Sequence, residues 1–286
     1  ICRAAVGKET YVFSVRGADS LRLDKYDDPA VAGEKPCVIF VFGGGFAAGT
    51  RDNQAYIPFF EWLVSEGYVV ASIDYRLGLK YIGQQKDLSQ PVFMQTFVNS
   101  IRMAVEDLFD ATVFLYNNAD AFGVDRNRIV ICGSSAGAIT VLMGEYAMNT
   151  GIDSDILKVP PRGFRYAGVI SMAGAILSGG ELQWTSEPAP MLLLHGDADS
   201  NVPYDKITQD GAGFYGSAYI AQKLHENNSP YWFVSFRNAA HEVSIRPISE
   251  NREEILSFLD KFVHNRQKLM IDSEVEKIGA PELKKE

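Results

Sequence analysis

The sequence predicts an α/β protein whose sheet is mostly parallel and covered by helices on both faces, and three observations carry that expectation. Continuous apolar runs at 37–42, 69–73, 166–172 and 189–194 lack the polar alternation of half-exposed strands, as strands buried on both faces do. Segments of helical periodicity at 54–65, 100–117, 216–227 and 249–266 alternate with them. Glycine-rich turns follow two of the strands on their carboxyl side, where an open α/β sheet places its ligands.

Taken in order, 11–15 and 21–24 alternate apolar and polar residues around a Gly17-containing turn, which predicts an opening antiparallel hairpin of edge strands. A turn-rich link leads into the buried strand 37–42, ended by Gly43, Gly44 and Gly45. Three successive glycines let a backbone approach a ligand closely and leave N–H groups for an anion, a better account than a plain turn. The strand 69–73 closes with Asp74, Tyr75 and Arg76, with Asp74 and Arg76 read as a structural polar pair. An irregular insertion at 78–97, long enough to wall a pocket, precedes the helix 100–117, whose apolar face is core.

The short β-branched strand 129–131 then meets Gly133, Ser134, Ser135, Ala136 and Gly137, a G-x-S-x-G turn running directly into a helix. Side chains at either glycine would collide with the crossing backbone, and the turn lifts the Ser135 hydroxyl beside the free N–H groups of the helix start. A second irregular insertion spans 150–165. The last strands are 166–172, 189–194 and 231–236, and 249–266 is the closing helix. The segment from Lys268 is charged and weakly periodic, so loose docking is expected.

At 286 residues the expected organisation is one domain, 1–286, with those two insertions and that tail. A net charge of −9 argues against a nucleic-acid partner. The longest apolar run, 37–42, is far short of the ~20 residues of a membrane helix, so a soluble protein without a span is expected. The chain starts at Ile1 with no charged-then-apolar leader, which fits a processed secreted or periplasmic form and leaves the compartment open. Of three cysteines, Cys2 reads as a tail residue. Cys37 and Cys132 read as buried thiols held out of disulfide reach by a five-residue offset between neighbouring strands, at ~3.3 Å per residue.

A serine hydroxyl needs a base, itself oriented by a carboxylate. Among four histidines, His225 and His264 fall on helices and read as surface groups. His195 directly follows a buried strand and reads as a loop-stabilising side chain. His241, in the loop after the last strand, is left as the base. Asp197 and Asp199 both lie just past a strand, and spacing does not choose between them.

With these residues assembled, the chain resembles the α/β-hydrolase superfamily, in its esterase and lipase branch. The motifs are Phe42 with Gly43, Gly44, Gly45 and Phe46; Asp74 to Leu77; the G-x-S-x-G turn; His195, Gly196, Asp197, Ala198 and Asp199; and Ala240 with His241. The resemblance implies the α/β-hydrolase fold, a mostly parallel eight-stranded sheet with helices on both faces. It implies Asp199 as the acid of a Ser135, Asp199, His241 triad, and an oxyanion hole from the N–H groups of Gly44, Gly45 and Ala136. Phe42 departs from the family pattern, standing where its oxyanion motif carries histidine, so packing must support that loop. The implied activity is serine carboxylic-ester hydrolysis through an acyl-enzyme, without metal or cofactor, on a small-molecule ester. Absence of a long apolar lid helix favours short acyl groups, and resemblance to esterases that trim plant polysaccharides favours carbohydrate esters. A prolyl-peptidase-type enzyme and a catalytically silent binding protein are the competing expectations. Oligomeric state is not legible in the sequence.

Overall fold

The structure, a computed structural model, describes residues 6–84, 89–151, 160, 161, 163–209 and 211–276. Cys2, most of the 150–165 insertion, part of the 78–97 insertion and the end of the tail lie outside the described residues.

The chain opens with the hairpin β1 (Gly7–Arg16) and β2 (Asp19–Asp27), followed by β3 (Lys35–Val41), α1 (Ile57–Ser65) and β4 (Val69–Ile73). Next come α2 (Gln90–Asn117), the short α3 (Ala119–Phe122), β5 (Val124–Ser134) and α4 (Ala136–Thr150). The strands β6 (Gly168–Met172), β7 (Ala175–Ser178), β8 (Met191–Gly196), β9 (Lys206–Gln209) and β10 (Ala212–Gly216) precede α5 (Ser217–Glu226) and β11 (Tyr231–Phe236). The chain closes with α6 (Pro247–Glu250), α7 (Arg252–Phe258), a π-helical turn Leu259–His264 and β12 (Met270–Val275).

Nine strands form one sheet in the order β1-β2-β4-β3-β5-β6-β8-β11-β12. From β4 to β12 neighbouring strands run parallel, and β2 joins β4 antiparallel. The apolar runs occupy the middle of this sheet: every residue of β4, β6 and β8 is buried. Burial on both faces by helices explains why these strands carry no alternation. A separate three-stranded antiparallel sheet, β7-β10-β9, stands apart from the main sheet.

Four expectations change. The sheet has nine strands, not eight, because the segment past Lys268 does not dock loosely: Met270–Val275 pairs along β11 as β12. Its side chains alternate between half-buried and exposed, and Tyr231 and Trp232 reach across to Asp272 and Ser273. Backbone pairing holds this polar strand where an apolar pattern does not. The helix expected to start at Ser100 begins ten residues earlier, at Gln90, so part of the 78–97 insertion is helical, and Pro91 occupies its first turn, a position proline favours. The closing helix expected over 249–266 is broken at Asn251, whose φ of −119° and ψ of 35° lie outside the helical region.

Cys37 and Cys132 are both buried and free. In the parallel register Phe40, not Cys37, faces Cys132, so the offset is three residues rather than five. That still spans about 10 Å along the strand, beyond disulfide reach. Burial pushes the Cys37 thiol up to about 12, which leaves it protonated and unreactive at neutral pH. No described helix is long and apolar enough to cross a membrane.

Candidate active site

The residues singled out in the sequence all fall at the carboxyl ends of adjacent strands: Gly44 and Gly45 after β3, Ser135 after β5, Asp199 after β8 and His241 after β11. Ser135 is the single residue between β5 and α4, with φ 51° and ψ −116°. That left-handed conformation is one non-glycine residues rarely adopt. Its backbone is pinned on both sides, the N–H donating to Met172 O at 2.9 Å and the carbonyl accepting from Ile139 N–H at 2.9 Å. A methyl group at Gly133 would lie 2.2 Å from Gly137 O, and one at Gly137 2.0 Å from Val41 O. Only glycine at both positions lets the strand and helix cross this closely.

Held in this way, Ser135 Oγ lies 2.8 Å from His241 Nε2, and His241 Nδ1 lies 2.7 Å from Asp199 Oδ2. A carboxylate oxygen only accepts, so the imidazole proton sits on Nδ1 and Nε2 faces the serine as an acceptor. The Asp199 side chain is fully buried, and burial alone would push its carboxyl up. Donors outweigh that effect: His195 and His241 at Oδ2, with the N–H groups of Val202 and Asn201 at Oδ1, hold it far below the usual carboxylate range.

Asp197, equal to Asp199 by spacing, does different work. Its Oδ1 accepts the Asn238 N–H at 2.6 Å, its own N–H donates to Phe236 O, and Ala198 N–H donates to Ala239 O. These bonds tie the aspartate loop to the histidine loop. His225 and His264 are exposed, one on α5 and the other at the end of the π-helical turn.

Gly44 has φ +134°, and a methyl group there would sit 2.0 Å from Ala48 O, so the turn tolerates no side chain. Gly44, Gly45 and Ala136 line one cleft with Ser135 and His241. Phe42 secures this turn by packing: its ring stacks on Tyr75 at 4.5 Å, and the Tyr75 hydroxyl donates to Phe42 O at 3.0 Å. Asp74 and Arg76 do not pair with each other. Asp74 takes the Arg51 guanidinium at 3.0 Å and the Arg22 N–H, while Arg76 binds Asp107 and Glu106. Arg51 also receives the Ser72 hydroxyl on its carbonyl, so the Arg51–Asp74 pair anchors the glycine turn to the end of β4.

The cleft has a volume of about 670 Å³. Its apolar wall is aromatic: Phe97 of α2 meets Phe46 edge-on at 5.9 Å and Phe214 of β10 edge-on at 6.0 Å, with Ile139 and Ile245 alongside. Phe97 was the last residue of the insertion expected to wall a pocket. Phe214 carried no such signal, because β10 is too short and glycine-rich to be read as a strand, and neither did Asn201 and Ile245, which lie in loops beyond β8 and β11.

The chain matches the family model BD-FAE over residues 23–92 and 93–176. This span includes Gly44, Gly45, Ser135 and Ala136 and ends before Asp199 and His241. Among curated proteins, the chain is similar to fumonisin B1 esterase of Sphingopyxis macrogoltabida, 30% identical over 130 residues, 42% of this chain and 22% of that protein. It is also similar to gut esterase 1 of Caenorhabditis elegans, 31% identical over 130 residues, 45% of this chain and 21% of that protein. The chain thus spans less than a quarter of the length of these two curated relatives. Among solved structures, a propionate-bound thermophilic esterase of Thermogutta terrifontis superposes with a TM-score of 0.66 at 20% identity, covering 92% of this chain and 96% of that one. A likeness of that breadth at so low an identity establishes the shared α/β-hydrolase fold. With more than half of the chain matched by one family model, and the nucleophile turn and glycine turn inside the match, the chain belongs to the BD-FAE family.

Proposed function

We propose that the protein is a serine carboxylic-ester hydrolase acting through an acyl-enzyme. The observation that carries this reading is the unbroken line from Ser135 Oγ through the His241 ring to Asp199 Oδ2, with contacts of 2.8 Å and 2.7 Å, at the wall of a cleft. In this reading Ser135 attacks the ester carbonyl carbon while His241 Nε2 takes its proton. The Nδ1–H stays on the ring, and the ionised Asp199 stabilises the resulting imidazolium. The N–H groups of Gly44, Gly45 and Ala136 receive the oxyanion. His241 then gives its proton to the departing alkoxide, and the same base activates a water that releases the acid from Ser135. The names of the fumonisin B1 and gut esterases support ester chemistry. The aromatic wall at Phe97 and Phe214 supports short acyl groups, and the resemblance to esterases that trim plant polysaccharides supports carbohydrate-linked esters.

The test is hydrolysis of p-nitrophenyl acetate, butyrate and octanoate by the protein and by Ser135→Ala. The expected outcome is turnover of the acetate that falls by roughly 10³-fold or more in the variant, with octanoate the poorest of the three esters. Equal turnover by wild type and variant would remove the serine mechanism, and preference for octanoate would remove the short-acyl reading. Because Asp199 stays ionised far into acid, its protonation is not expected to limit turnover in mildly acidic buffers.

A further inference from the structure

His195 is the penultimate residue of β8, two strands along the sheet from β5 and the nucleophile, with its side chain fully buried. Its Nδ1 lies 2.8 Å from Ser217 Oγ at the start of α5. Its Nε2 lies 3.3 Å from Val202 O and 3.3 Å from Asp199 Oδ2. A carbonyl and a carboxylate oxygen only accept, so the proton of this ring belongs on Nε2. With that single proton on the ring, Nδ1 accepts the Ser217 hydroxyl, and the partners select one tautomer. Asp199 Oδ2 therefore stands between two imidazoles, 3.3 Å from His195 Nε2, whose proton it shares with Val202 O, and accepting His241 Nδ1–H at 2.7 Å.

We propose that His195 is a positioning residue for the triad: by holding Asp199 Oδ2, it fixes the oxygen that orients His241 and tempers the charge His241 experiences. This inference rests on the reading of Ser135, His241 and Asp199 as catalytic. The Asn201 and Val202 N–H groups occupy Oδ1, so without His195 the Oδ2 atom would keep His241 as its one partner, and carboxylate and imidazole could swing together about Oδ1. The other ionisable groups around the pair are accounted for. Tyr204 meets the His195 ring edge-on at 5.8 Å and bonds Ser235. Asp197 is taken by the Asn238 N–H and Glu242 by the Ala240 N–H, while Asp205 and Glu274 bear on Tyr204.

The experiment compares the pH dependence of p-nitrophenyl acetate hydrolysis for wild type, His195→Leu and His195→Gln, with Ser135→Ala alongside and folding followed by circular dichroism. Leucine removes the donor. The glutamine amide nitrogen reaches the place of Nε2 and keeps it. His195→Leu is expected to lose kcat by roughly 10-fold with KM nearly unchanged. Its acid-side midpoint is expected to move to higher pH, since a carboxylate with one donor fewer favours the imidazolium more. His195→Gln is expected to recover most of both. Superimposable profiles for wild type and leucine variant would overturn the inference, as would equal impairment of both variants with an unmoved midpoint, the signature of a purely structural role. Should the leucine variant not fold, the imidazole ¹H–¹⁵N spectrum of the wild type decides: a proton on His195 Nε2 upholds the inference and one on Nδ1 overturns it. Turnover surviving in Ser135→Ala would bring down the triad reading and this inference together, whereas its loss beside unaffected His195 variants would bring down this inference alone.

Discussion

At Gly137 a single methyl group is incompatible with the fold. An added Cβ would meet the Val41 carbonyl at 2.0 Å, and that carbonyl belongs to a central strand that cannot yield. Gly137→Ala is therefore expected to destabilise the protein by about 3 kcal/mol or more, read by denaturant unfolding, whereas alanine at the open Gly83 should cost far less. Residues whose role follows from local geometry were the legible ones. Ser135 was marked by its glycines and by the strand and helix on either side, and His241 by being the one histidine beyond a strand end without another assignment. The choice between Asp197 and Asp199 was not legible from spacing. It depends on which carboxylate meets a loop 42 residues further on, and local pattern carries no record of that contact. The same limit hid the bond from His195 to Ser217 and the separate partners of Asp74 and Arg76.

At the level of elements, the parallel strands were readable because burial on both faces makes them uniformly apolar, and their carboxyl ends located the site. Elements held by pairing rather than by an apolar pattern escaped notice. The sheet β7-β10-β9 is one: β9 is exposed along its whole length, yet its partner β10 contributes Phe214 to the cleft. The start of α2 is another. Phe93 and Met94 lie exposed among polar residues and look like a loop, although Pro91 marks a helix start. The two elements together set the depth of the cleft, since Phe97 and Phe214 meet edge to face. Phe214→Ala is expected to open that wall and raise kcat/KM for octanoate relative to acetate by roughly 10-fold. An unchanged ratio would show that the acyl chain runs elsewhere.

Across the whole molecule, a buried acid links stability to pH. Glu145 of α4 is enclosed at the end of the sheet away from the triad and accepts the Ala189 N–H at 2.8 Å. Burial pushes its carboxyl from 4.5 up to about 7. The folded state then holds a proton that the unfolded chain releases. Stability from this group is complete below pH ~4.5 and is lost as pH rises toward ~7, by up to about 3 kcal/mol. Glu145→Gln should flatten that decline in urea unfolding measured across the range, and a decline of unchanged slope would exclude Glu145 as its source.

The strand that the sequence concealed also bears on how copies of the chain meet. Among the described residues β12 is the outermost strand beside β11, and a strand in that position offers unpaired backbone groups to any passing chain. Asp272 and Glu274 stand along it, on a molecule whose net charge is −9. Two copies that tried to zip together along this border would bring those carboxylates face to face. The acidity that disguised the segment as a solvated tail thus works against edge-to-edge pairing at this strand.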